Sequence, residues 1–136
     1  MTERIQDKIA EIETFWKELE EIIPDHLDQY FSNFLAKAAC ERYFEKIIEA
    51  IVDLSFLIIK HKQFKIPEED KEAFEILSQE GIISELLSDK LKAAKGMRNI
   101  LAHEYGKVDD ELIYLAISDE LQNDVLEFLK DVKKII

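Results

Sequence analysis

The fold turns on the run Ile47-Ile48-Glu49-Ala50-Ile51-Val52-Asp53-Leu54-Ser55-Phe56-Leu57-Ile58-Ile59. It is the most apolar stretch of the chain, yet Glu49 and Asp53 interrupt it, and it is shorter than the ~20 apolar residues that span a bilayer. A core helix is therefore expected, and no membrane role follows. From Leu54 to Ile59 nearly every face is apolar, as in a helix enclosed by several neighbours. This segment should form the centre of a bundle.

Upstream, Leu27, Tyr30, Phe31, Phe34, Leu35, Ala38, Tyr43 and Phe44 keep the same helical spacing, which predicts one long helix from about Leu27 to Lys60. Before it, Ile5, Ile9, Ile12, Trp16, Leu19 and Ile23 lay an apolar stripe along a first helix, widened by Phe15 and Ile22. Pro24 and Asp25 break the two apart, the aspartate being suited to cap the second helix. Downstream, Lys65-Ile66-Pro67-Glu68-Glu69 reads as a helix start and Gly81 as its end. A fourth helix begins at Ser84-Glu85 or at Ser88-Asp89, and Gly106 marks its far end. Val108-Asp109-Asp110-Glu111 opens the last helix, with Leu112, Leu115, Leu121, Val125, Phe128, Leu129, Val132 and Ile135 facing inward. The expected fold class is all-α: an antiparallel, up-and-down bundle of four to five helices.

Composition agrees. A chain of 136 residues fits one domain, 1–136, and 47% hydrophobic against 35% charged residues suffices for a core without disorder. Only three glycines and two prolines punctuate it, too few for the frequent turns of a sandwich or barrel. One cysteine, Cys40, forms no internal disulfide and reads as a small core residue, and no secretory leader pattern opens the chain, so the cytoplasm is the expected location. A formal net charge of -12 excludes general coating of nucleic acid. Contact with RNA has to be local.

The chemistry concentrates in Met97-Arg98-Asn99-Ile100-Leu101-Ala102-His103-Glu104-Tyr105-Gly106. At about 100° per residue, Asn99 and His103 share a helix face, with Lys92 and Lys95 above them, in a stretch whose positive sign opposes that of the whole chain. A phosphate could be drawn there. Arg98 lies about 140° from His103 and points toward the apolar side, so it requires a partner. One reading makes Arg98 structural, paired with a carboxylate from the second helix, for which Glu45 is the candidate. On the bland view His103 caps a helix C-terminus, where the dipole favours it, and Tyr105 is a core aromatic with its hydroxyl at the rim. On the functional view arginine, asparagine, histidine and tyrosine together move protons and stabilise charge on a phosphate without metal.

Arg98, Asn99, His103 and Tyr105 stand in a pattern that resembles the signature of HEPN domains. The likeness to the HepT-like branch extends to Arg42-Tyr43-Phe44-Glu45 in a long helix, Ala73-Phe74-Glu75-Ile76-Leu77, Gly81 and Val108-Asp109-Asp110-Glu111-Leu112. The resemblance implies a homodimer whose motif helices line a shared cleft, and metal-independent RNA cleavage. His103 would move protons and Arg98 would stabilise phosphate charge as the catalytic pair, with Asn99, Lys95 and Glu45 in support. It also implies a minimal nucleotidyltransferase as antitoxin, which attaches AMP to the motif tyrosine, here Tyr105. Added negative charge and bulk two residues after His103 would keep RNA out. Some members of this kind only assist a nucleotidyltransferase or bind its substrate, so a non-catalytic substrate-binding or adaptor protein is the alternative.

Other chemistries find no support. His26, His61 and His103 are far apart and no Cys-x-x-Cys or His-x-x-x-His pair exists, so no metal is expected. No phosphate-cradling glycine loop is present, so no nucleotide cofactor is expected and the chain is not itself the nucleotidyltransferase.

Overall fold

The computed structural model describes residues 2–103 and 109–136. Their elements are α1 (Thr2–Ile22), α2 (Leu27–Ser32), α3 (Phe34–Lys62), α4 (Asp70–Gln79), α5 (Glu85–His103), α6 (Asp110–Leu115), a π-helical turn (Ala116–Glu120) and α7 (Leu121–Lys133). The described residues contain no strand, so the fold is all-helical. No described helix is long and apolar enough to cross a membrane.

The apolar run expected at the centre is there. α3 packs against α1, α2, α4 and α5, and it buries Ile47, Ile48, Ile51, Leu54, Ile58 and Ile59. Ser55, inside this core, is fully buried and satisfies its hydroxyl on the Ile51 carbonyl at 2.9 Å. The stripe of α1, Ile5, Ile9, Ile12 and Leu19, lies against it.

The single helix expected from Leu27 to Lys60 is two helices. Asn33 leaves helical backbone (φ -112°, ψ 91°) and its side-chain oxygen accepts from the Ala36 N–H at 3.1 Å, capping α3. A short polar side chain that bonds the backbone locally competes with continued helix, which is why the break falls at Asn33. The break also turns Phe31, Phe34 and Leu35 outward, although their spacing assigned them to the core. At the start of α2 the cap position belongs to His26, which makes no side-chain cap bond, and not to Asp25.

α4 begins at Asp70, later than Pro67 suggested, and Glu72 reaches back to accept from the Glu68 N–H at 2.9 Å. It ends as expected at Gly81, whose φ of 78° is costly for any residue with a Cβ. There Gly81 N–H donates to Ser78 and Ile82 N–H to Leu77, closing the last turn. Ser84, the earlier of the two starts considered, caps α5 by accepting from the Leu87 N–H at 3.0 Å, while Ser88 is buried inside the helix.

After α5, Gly106 and the Val108 start lie outside the described residues. Asp109 caps α6 by accepting from the N–H groups of Glu111 and Leu112 at 3.1 and 3.2 Å. Leu112 and Leu115, expected to face inward, are exposed; Ile113, Tyr114 and Ile117 take the core positions. The buried series Ile113, Ile117, Leu121, Val125 repeats every four residues, which drifts by about 40° per step on a straight α-helix. The π turn at 116–120 absorbs that drift and keeps the series on one side. The Tyr114 hydroxyl donates to the Pro24 carbonyl at 2.7 Å and its ring packs 5.0 Å from Tyr30, while Lys37 meets both Glu41 and Asp110. These contacts pin α6 to α2 and α3.

Cys40 is fully buried, and burial pushes its thiol up to about 11. At pH 8 the native protein should resist iodoacetamide and react only after unfolding, because the thiolate is both scarce and sealed off. Rapid labelling of folded protein, followed by mass spectrometry, would contradict this packing.

Candidate functional site

α5 carries the motif, and its position is set by apolar contacts and by charged ones beside them. Leu87, Leu91 and Leu101 enter the core, and the helix rests against α3, α4 and α7. Beside these leucines, facing the N-terminal end of α4, the helix borders an open groove of about 590 Å³ lined by Glu69, Asp70, Lys71, Lys95, Arg98, Asn99 and His103.

The structure therefore brings Arg98, Asn99, His103 and Lys95 to one groove. His103 is exposed at the last turn of α5, where its imidazole is open to solvent. Asn99 lies one turn before it and is half-buried. Arg98, placed about 140° away by helical geometry, nevertheless borders the same groove because its long side chain spans the difference. Tyr105 lies outside the described residues.

The basic strip expected on α5 is largely paired. Lys95 meets Asp70 at 3.1 Å and Lys92 meets Glu75 at 3.0 Å, both acids coming from α4. Arg98 donates from Nη2 to the Glu49 carboxylate of α3. The Arg98 side chain is 14% exposed and that of Glu49 46% exposed, so the cation is far more desolvated than its partner. Among the described residues Arg98 Nε is buried without an acceptor, an arrangement that ordinarily costs about 1–3 kcal/mol.

Arg98 thus has the carboxylate partner that burial demanded, but the partner is Glu49. Glu45, the residue expected, is met by Arg42 at 3.6 Å instead. The two glutamates are one turn apart on α3, and the register between α3 and α5 decides between them. Glu49, Asp70 and Glu75 were not singled out as site residues from sequence. The one available signal for Glu49 was its presence as an acid in the most apolar part of the chain.

Imidazole, guanidinium and carboxamide groups on one open wall can accept and donate protons and support charge on a bound anion. The neighbouring acids limit how much free positive field surrounds them.

A family model described as Ribonuclease HepT-like matches residues 12–132. The chain is 27% identical over 133 residues to the mRNA nuclease HepT of Shewanella oneidensis, covering 98% of both proteins. It is 31% identical over 96 residues to the tRNA nuclease HepT of Aphanizomenon flos-aquae, covering 71% of this chain and 65% of that protein. Among solved structures, it resembles the tri-AMPylated Shewanella oneidensis HEPN toxin in complex with an MNT antitoxin, with a TM-score of 0.91 and 27% identity over 98% of this chain and 99% of that one.

Proposed function

Because the chain belongs to the HepT-like ribonuclease family, we propose that it is the toxin of a toxin-antitoxin pair: a metal-independent endoribonuclease that acts as a homodimer in the cytoplasm. The observation that carries this reading is the shared groove, where the exposed His103 stands with Arg98 and Asn99 on one wall.

The chemistry follows from those groups. A ribose 2'-hydroxyl attacks the adjacent phosphorus as one imidazole accepts its proton, and a second, protonated imidazole gives a proton to the departing 5'-oxygen. Arg98 supports the added charge on the phosphate. Two copies of His103 across a dimer supply the acceptor and the donor together. The two relatives differ in the RNA they are named for, one mRNA and the other tRNA, so RNA as a class is the proposed substrate.

Neutralisation falls to a minimal nucleotidyltransferase that transfers AMP to Tyr105, a reading supported by the AMPylated toxin among the similar structures. Each AMP places phosphate charge and a nucleoside two residues from His103, which excludes RNA by repulsion and bulk. Intact-mass spectrometry of protein made with that partner should show added AMP, absent from Tyr105→Phe; unmodified wild type would count against the claim.

The deciding experiment is RNA cleavage by partner-free protein beside His103→Ala and Arg98→Ala. Complex formation with a nucleotidyltransferase but no cleavage would mark the chain as a non-catalytic adaptor.

A further inference from the structure

The carboxylate that meets Arg98 stands outside the groove described above. Glu49 opens onto a second depression, lined by Glu49, Val52, Asp53, Phe56, Asp70 and Lys95. Arg98 and His103 open onto the first. The Asp70–Lys95 pair borders both. Glu49 therefore meets the guanidinium from outside the groove that His103 lines.

We infer that Glu49 is a positioning residue for cleavage, holding Arg98 from behind so that the free Nη donors of its guanidinium are presented to a phosphate beside His103. This rests on the ribonuclease reading. An arginine side chain is long and flexible, and it serves a fixed transition state only when its planar end is held. Glu49 is well placed to hold it: it projects from the central helix between Ile48, 1% exposed, and Ala50, 3% exposed, so its backbone is fixed by the core. Arg98 uses Nη2 on Glu49, and among the described residues no other acid pairs with it. Nε is buried, and the Nη hydrogens not used on Glu49 keep their capacity for an anion. Unlike Glu69 and Asp70, Glu49 does not line that groove and so does not face a phosphate bound there.

The test uses the full chain, free of any antitoxin, with RNA as substrate. Glu49→Ala should lower kcat by about a hundredfold, the scale of a slightly misplaced catalytic group, with little change in KM. Glu49→Gln keeps an oxygen acceptor and should recover part of the loss. In an Arg98→Ala background Glu49→Ala should add nothing, because the two act as a unit. Asp53→Asn, which removes a charge one turn away, should cleave like wild type. Glu49→Ala that cleaves as well as wild type or faster, or that loses as much rate without Arg98 as with it, overturns the inference.

A wild type that cleaves no RNA defeats the ribonuclease reading alone, and a spectroscopic arm then decides the positioning. The Arg98 Nε–H signal in nitrogen-15 NMR should be sharp and slow to exchange in wild type and lost by broadening in Glu49→Ala. An unchanged signal would overturn the role given to Glu49.

Discussion

Partner-free protein carrying His103→Ala should cleave RNA about 10²- to 10⁴-fold more slowly than wild type, the usual contribution of a positioned acid or base. The side chain is exposed at the end of α5, so its removal opens no cavity and the melting temperature should hold. Arg98→Ala should lower the rate comparably, with Glu49 left behind as a half-exposed carboxylate that water can solvate. Arg98→Lys should not restore activity, since an ammonium cannot both grip Glu49 and spread donors toward a phosphate. Rates are read from cleavage of a labelled RNA, with circular dichroism to confirm the fold. Equal cleavage by wild type and His103→Ala would remove the imidazole from the mechanism.

Phe74→Ala should destabilise the protein by about 3–5 kcal/mol, a large share of the ~5–15 kcal/mol typical of a domain. Phe74 is fully buried on α4, which has only 10 residues. A helix that short has little stability of its own and is held by its apolar face, here Ala73, Phe74, Ile76 and Leu77. The same helix carries Asp70 and Glu75, the acids that meet Lys95 and Lys92. Loss of the ring should therefore lower the denaturant midpoint and speed amide exchange across α4. A loss under about 1 kcal/mol would mean that α4 is not docked as described.

The sequence was most informative where periodicity and burial coincide. Ile47 to Ile59 announced a central helix because its apolar residues leave solvent only the narrow strip of Glu49 and Asp53, and α1 and Gly81 were legible for equally local reasons. Reading failed where a local competitor or a helix register decided. Asn33 broke a helix that spacing alone would continue, since one amide side chain offers the backbone another partner. The π turn at 116–120 altered which leucines face inward, and hydrophobic spacing does not announce such a turn. At the site, Arg98, Asn99, His103 and Lys95 could be grouped because they lie on one helix. The choice of Glu49 over Glu45 could not, because it depends on how two helices slide past each other, and residues far apart in sequence set that offset.

The pairing of Lys92, Lys95 and Arg98 with acids from other helices bears on how such a protein moves through a crowded cell. With a formal charge of -12 and those three cations engaged, it offers polyanions little to cling to. Casual encounters with nucleic acid should therefore be brief.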